Sequence, residues 1–299
     1  MNKYGSGISY GVGAYVIWGL LPIYWRALDQ ASASEILVHR AIWSLFACLI
    51  FLKFQKQLRE TFALIRNLRT FSLLALTSLL LSINWGIYIW SVSVDRVVEA
   101  ALGYYITPLV AVTFGVLVLK EHLRKFQLIS VILASIGVLI LTVAYGRLPW
   151  IAIGLAVSWG SYSLIKKHLN AGALQTLSVE TLVAFIPNFT YLIYLISNEK
   201  AEFGQSIGFS LALVSAGLFT VVPLLMFNAA TTRLPLTITG LLQYITPTIM
   251  FLVGILVFHE ELIISKLLGF IFIWSALGFL GSDLIKSGRS GNQGSNQVS

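Results

Sequence analysis

An all-α membrane protein of ten transmembrane helices, arranged as two inverted five-helix repeats, is the fold class this sequence predicts. Composition is the first observation behind it. Of 299 residues, 57% are apolar and 11% charged, with mean hydropathy +0.85, whereas soluble domains carry about 25% charged residues. An internal echo is the second. Residues 105–123 and 244–262 agree without a gap at nine of nineteen positions, including Tyr105-Ile-Thr-Pro108 against Tyr244-Ile-Thr-Pro247 and Glu121 against Glu260. Apolar composition alone does not match a Pro and a Glu thirteen residues apart, so a unit of about 140 residues is duplicated. The third observation is where the basic side chains fall.

Crossing hydrocarbon as a helix takes about 18 or more apolar residues. Ten runs qualify: 7–28, 34–54, 70–92, 97–119, 126–145, 150–166, 176–196, 208–230, 236–258 and 263–285. The first is too long for a cleaved leader and has only Lys3 ahead of it. An even number of spans puts both termini on one side. With the N-terminus in the cytoplasm, fourteen Lys and Arg lie on cytoplasmic segments, five lie on the opposite loops, and Arg40 is left inside span two. This is the positive-inside bias, so the net charge of +8 orients the chain in a bilayer and gives no reason to expect a nucleic acid partner. Five spans precede the turn at Arg147-Leu-Pro149 and five follow it. An odd count per half inverts the second half relative to the first. The expected units are residues 5–146, residues 147–285, and a disordered cytoplasmic tail at 286–299, small and polar in composition.

Packing signals run through the spans. Gly7-x-x-x-Gly11, Ala111-x-x-x-Gly115, Ser130-x-x-x-Ala134 and Gly278-x-x-x-Ser282 are spacings that let helices approach closely. Tyr24, Trp25 and Trp150, near span ends, fit interfacial aromatic belts. Cys48, the one cysteine, lies inside span two, which excludes a disulfide framework. The four histidines are scattered, and the zinc-protease pattern that His259-Glu260 begins is broken by Ile263, so no metal or other cofactor is expected.

Candidate site residues come from polar groups at membrane depth. Pro108 and Pro247 sit near the centres of spans four and nine, where a proline frees the carbonyl four residues back, here those of Tyr104 and Gln243. Such carbonyls are tolerated against protein or a wet cavity, and paired interruptions mark solute sites in repeat-built transporters. Tyr104, Tyr105, Gln243 and Tyr244 are therefore expected to line a central site, alongside the alternative that the prolines only shape packing. Arg40 needs an anionic or carbonyl partner or a wet cavity. Glu35 either closes a capping box with Ser32 or joins Arg40 in setting charge preference. Glu180 either caps span seven near Ser178 or, like Glu35, carries protons. Asn84, Trp85 and Tyr88 place an amide, an indole and a phenol on one face, and with Trp18 they are expected to wall the cavity for an aromatic or amphipathic solute. Lys120-Glu121 suits loop hydrogen bonding or an interfacial ion pair.

The chain also resembles the RarD-type members of the EamA group in the drug/metabolite transporter superfamily over residues 5–285. The resemblance rests on Gly13-Ala-Tyr-Val-Ile-Trp-Gly19, Pro22-Ile-Tyr-Trp25, Glu35-Ile-Leu-Val-His-Arg40, Asn84-Trp85-Gly-Ile-Tyr88, Leu102-Gly-Tyr104, Pro149-Trp-Ile-Ala152 and Gly240-Leu-Leu-Gln-Tyr244. Thr107 departs from the Asn of that family's pattern. The resemblance implies a ten-helix permease of a bacterial inner membrane, with two EamA-like halves around a central pathway for a small-molecule solute. Two other classes stand beside it: an intramembrane enzyme, which lacks a recognisable catalytic constellation in this sequence, and a membrane scaffold or sensor, for which the short loops leave little surface.

Overall fold

Backbone polar groups in hydrocarbon must bond within their own segment, so apolar runs of this length fold as helices. The computed structural model describes residues 3–94, 96–146, 148–169, 171–259 and 264–295, and these are helical with short connections. In chain order the helices are α1 (Lys3–Arg26), α2 (Ala33–Phe54), α3 (Leu58–Arg66), α4 (Leu68–Ser93), α5 (Val97–Leu117), α6 (Lys125–Tyr145), α7 (Trp150–His168), α8 (Ala173–Ser197), α9 (Ile207–Thr231), α10 (Leu236–Leu242), α11 (Ile245–Leu256) and α12 (Ile264–Ser295).

Nine segments among the described residues are long and apolar enough to cross a membrane, with α10 and α11 counted together as Leu236–Leu256. The segment that falls short is α7. It ends in Lys166-Lys167-His168, it packs on α4 and α5, and Ser158, Gly160, Ser163 and Lys166 are buried within it, Lys166 against Thr176 and Glu180 of α8. A helix sheathed by protein needs less apolar surface than one facing lipid. The connector after α2 also differs from a plain loop. Leu64 and Ile65 of α3 pack beside Leu74, Leu169 and Val179, while Arg59, Glu60 and Arg66 occupy the same short helix; this is the pattern of an interfacial amphipathic helix. At the other end, α12 continues to Ser295, into the segment read from sequence as a tail. A helix already templated in the bilayer extends at one bond per residue.

The duplication is visible in the backbone. Among the described residues, four non-glycine residues have positive φ: Lys56 (56°), Lys120 (57°), Glu199 (56°) and His259 (56°). They form two pairs at equivalent places, Lys56 and Glu199 just after spans two and seven, Lys120 and His259 just after spans four and nine. Glu260, the repeat partner of Glu121, lies outside the described residues. Packing repeats as well: α1 lies on α9 and α11, and its counterpart α7 lies on α5 and α4; α2 lies on α9, and its counterpart α8 on α4. The halves interlock, with α6 and α12 packed on each other. Gly146, at φ 78°, ends α6 in the left-handed conformation that glycine adopts without strain, and the chain turns there into the second half.

The prolines differ where the sequence repeats. The α5 helix runs unbroken through Pro108, whereas span nine breaks at Gln243 and Tyr244. Pro247 therefore falls in the first turn of α11, where a missing N–H costs no helical bond. The reading of two equivalent mid-span interruptions is corrected to one break and one continuous helix. Gly240 sits at the contact between them: a Cβ there would lie 2.8 Å from Ala111 Cβ and 3.0 Å from the Pro108 carbonyl. The Gly7 and Gly11 seam is likewise a contact, against Leu234 and Leu242. Gly278 faces open space, so the proposed seam on α12 packs nothing within the described chain.

Candidate functional site: a central aromatic cavity

A cavity of about 450 Å³ lies between the halves. Its walls come from α1 (Trp18, Pro22, Trp25), α2 (Ile36, Leu37, Arg40), α4 (Asn84, Trp85, Tyr88), α5 (Gly103, Tyr104, Thr107), α7 (Leu155, Trp159), α9 (Thr220, Leu224) and the α10–α11 break (Gln243, Thr246, Met250). The volume falls within the range of about 300–1,000 Å³ usual for small-molecule sites.

Arg40 organises the chemistry. Its Nε donates to Thr220 Oγ1 at 3.0 Å, and its guanidinium carbon lies 4.8 Å from the Trp25 ring centre and 4.9 Å from that of Trp85. Each cation–π contact is worth about 0.5–2 kcal/mol, which offsets part of the desolvation of a charge at this depth. Among the described residues no carboxylate pairs with Arg40. The carboxylates are engaged elsewhere. Glu35, fully buried, accepts from the backbone N–H of Glu202 (2.9 Å) and Phe203 (2.9 Å) in the α8–α9 loop. Its own N–H donates to Ser32 Oγ, so the N-cap is real but the carboxylate is not spent on it. Glu99 accepts from Ile151 N–H at 2.8 Å and from the Tyr145 hydroxyl at 2.6 Å. Glu121 accepts from the N–H groups of Leu236 (2.7 Å) and Thr237 (2.9 Å), capping α10 from the other repeat. The expected choice between a loop and an ion pair for Glu121 resolves into this helix N-terminus.

Glu180 lies beside the cavity rather than in its wall. Its helix starts at Ala173 with Gly172 as N-cap, so Glu180 sits two turns inside and the capping role with Ser178 is overturned. It accepts from Thr77 Oγ1 at 2.6 Å and pairs with Lys166 Nζ at 3.0 Å, both residues buried. Tyr162 bridges Glu180 (3.4 Å) to Asn228 (3.3 Å). A second void of about 20 Å³, room for about one water, is lined by Glu180 together with Trp85, Thr220 and Leu224, which also line the main cavity.

Of the residues singled out from sequence, the cavity brings together Trp18, Arg40, Asn84, Trp85, Tyr88, Tyr104 and Gln243. Asn84 is anchored by its Nδ2, which donates to the Leu155 carbonyl and to Ser158 Oγ, each at 2.9 Å. This leaves its amide oxygen as an acceptor. Tyr105 and Tyr244 are not in the wall. The fully buried Tyr244 hydroxyl donates to the Tyr105 carbonyl at 3.1 Å, and Tyr105 stacks edge-on against Phe270. Tyr24 and Trp25 turn inward instead of forming a belt: Tyr24 donates to the Ala212 carbonyl and Trp25 covers Arg40. Sequence reasoning passed over Trp159, although its repeat partner Trp18 was chosen; the Trp18-Gly19 and Trp159-Gly160 echo was the available signal, and the rings meet edge to face at 5.4 Å. Thr220 carried no signal, because a threonine inside an apolar helix commonly bonds its own backbone, as this one does to the Ala216 carbonyl.

Paired helical repeats interlocked around an aromatic cavity define a class, the multi-pass membrane proteins built by duplication. The chain belongs to the EamA-like transporter family, whose model matches residues 5–143 and 148–282. It is 44% identical over 292 residues to Protein RarD of Streptomyces exfoliatus, covering 96% of this chain and 92% of that one. It is 40% identical over 286 residues to an uncharacterized transporter of Vibrio cholerae, covering 95% of each. Protein RarD of Escherichia coli K12 is 37% identical over 285 residues, covering 95% of this chain and 96% of that one. A crystal structure of a protein 14% identical in sequence superposes with TM-score 0.73 over 93% of this chain and 98% of that chain, which shows the shared fold.

Proposed function

We propose that this chain is a permease that carries a small organic solute across the bacterial inner membrane by alternating access between two inverted five-helix halves, with α7 as the sixth of ten spans. One observation carries the reading: a solute-sized cavity draws its wall from both repeats and holds a charged side chain at membrane depth. Seven residues bind the solute: Trp18, Arg40, Asn84, Trp85, Tyr88, Tyr104 and Gln243. Tyr105 and Tyr244 brace the α10 break from behind. Both termini are cytoplasmic, from the distribution of basic residues. In that orientation the cavity wall, built from the end of α1, the start of α2, the end of α4 and the start of α5, belongs to the outer half of the membrane. The inner side is sealed where Glu121 caps α10, Lys167 donates to the Leu234 carbonyl, and the Tyr15 hydroxyl donates to the Thr239 carbonyl at 2.8 Å. Of the two carboxylates, Glu180 is favoured for proton coupling, because it lines the water-sized void together with Trp85, Thr220 and Leu224, which also line the main cavity. Glu35 is held by backbone amides and serves the α8–α9 loop.

The test is uptake by proteoliposomes of solutes first found by thermal-shift screening of a metabolite and antibiotic library. Hits should lose their shift in Gln243→Ala and in Trp85→Ala. Hits that survive both substitutions unchanged remove the cavity from the reading. Flux that follows a pH gradient in wild type and in Glu35→Gln, but not in Glu180→Gln, supports coupling at Glu180.

A further inference from the structure

The cavity wall carries one charge. Among the described residues that line it, Arg40 is the only ionisable group of either sign at neutral pH, and no acidic side chain is among them. Glu35, Glu99 and Glu180 lie outside this lining and are engaged by backbone amides, by Arg96 and the Tyr145 hydroxyl, and by Lys166 and Thr77. One of the five N–H groups of Arg40 is used, by Thr220, and its flat faces rest on Trp25 and Trp85. The two Nη nitrogens have no hydrogen-bond partner among the described residues. Near them stand unspent donors. The Tyr88 and Tyr104 hydroxyls and the Gln243 amide line the same space and make no side-chain hydrogen bond among the described residues, whereas the hydroxyls of Thr107 and Thr246 donate to the carbonyls of Gly103 and Tyr15.

From this we infer that the solute is a monoanion, an oxyanion such as a carboxylate joined to a flat aromatic or apolar body. The planar fork of Arg40 receives the two oxygens, the phenols of Tyr88 and Tyr104 add donors, and Trp18, Trp85 and Trp159 take the body. A cationic solute meets an uncompensated like charge, and a zwitterion brings an ammonium for which the wall has no acidic partner. A single guanidinium also sets the charge at one. The inference rests on the central cavity being the solute site, and its test separates the two.

Four probes share one body and differ in charge: 3-phenylpropanoate, 3-phenylpropanamide, 3-phenylpropylamine and phenylalanine. Binding is measured by calorimetry on the full chain in phosphatidylcholine nanodiscs. Occupancy is read independently as protection of Leu37→Cys, a cavity-wall position, from alkylation in a Cys48→Ala background. The anion is expected to bind at least about tenfold more tightly than the amide, with the amine and the zwitterion weaker still. Arg40→Gln should weaken the anion about a hundredfold and leave the amide within about threefold, and Arg40→Lys should fall between. Equal protection by all four probes overturns the monoanion and leaves the cavity as the site. Protection by none of them overturns both. Repetition in phosphatidylglycerol nanodiscs tests a lipid headgroup as the source of the oxyanion: anion affinity that collapses there assigns Arg40 to lipid and sinks the soluble solute. The comparison among probes on the wild-type chain stands even where an Arg40 substitution fails to fold.

Discussion

Arg40 and Glu180 show how differently two charges at membrane depth can be settled in one molecule. Arg40 is left with a hydroxyl and two indoles, whereas Glu180 has a full partner in Lys166 and a further donor in Thr77. The second arrangement is structural in its energetics. Removing one member of a buried pair leaves the other uncompensated and costs about 3–5 kcal/mol. Glu180→Gln is therefore expected to lower the thermal midpoint in detergent markedly, and Lys166→Met combined with Glu180→Leu to restore most of it. A Glu180→Gln protein as stable as wild type would show that Lys166 is not held by this pair. Much of the residue-level site was legible in sequence, because Arg40, Asn84, Trp85 and Tyr88 are polar or amphipathic groups in apolar runs and need a reason to be there. Trp25 was not legible, since an aromatic near a span end reads the same whether it faces headgroups or a guanidinium. Lys166 was not legible either. It counted among the cytoplasmic basic residues, and only the approach of α8 to α7 shows it buried against Glu180.

At the scale of elements, the decisive contact is α5 against α10. Gly240 lets the Pro108 carbonyl and Ala111 approach a backbone that any side chain would push away. Gly240→Val should destabilise the protein by about 1–3 kcal/mol through overpacking, while Gly278→Val, facing open space, should leave the thermal midpoint unchanged. Equal effects would mean the two positions are not packed as described. Glu121 joins the same pair of helices from the end. Its carboxylate stands at the positive end of α10, a placement worth about 0.5–2 kcal/mol. Glu121→Gln is expected to loosen the inner seal, so that Thr237→Cys, buried in the sealed form, becomes several-fold more reactive to a thiol reagent added from the cytoplasmic side. Unchanged reactivity would place the seal elsewhere. The repeated Tyr-Ile-Thr-Pro motif pointed to this region, yet it promised two equivalent breaks. Local sequence does not decide between a proline that bends a helix and one that begins a new one; the neighbouring glycine and the opposing carbonyl do.

For the whole molecule, the proposed inverted arrangement makes a topological prediction. Cysteines at Lys56 and Lys120 should label from the cytoplasm, and cysteines at their repeat partners Glu199 and His259 from outside, in intact cells. Any pair labelled from one face removes the inversion, and the alternating-access mechanism with it. What the sequence by itself determined was the class and its duplication: spans follow from apolar length, and the repeat from a motif that recurs with its Pro and Glu in register. Each is a property of one segment against a uniform solvent, lipid or water, and needs no knowledge of neighbours. Tertiary structure alone decided which polar groups face the cavity and which are bound by protein. Glu35, Glu99, Glu121 and Glu180 are chemically interchangeable in the sequence, and each is engaged by a backbone amide, hydroxyl or ammonium that packing brings to it. Among the described residues that line the cavity, Arg40 is left without a carboxylate partner, because the neighbouring carboxylates are bound elsewhere by packing.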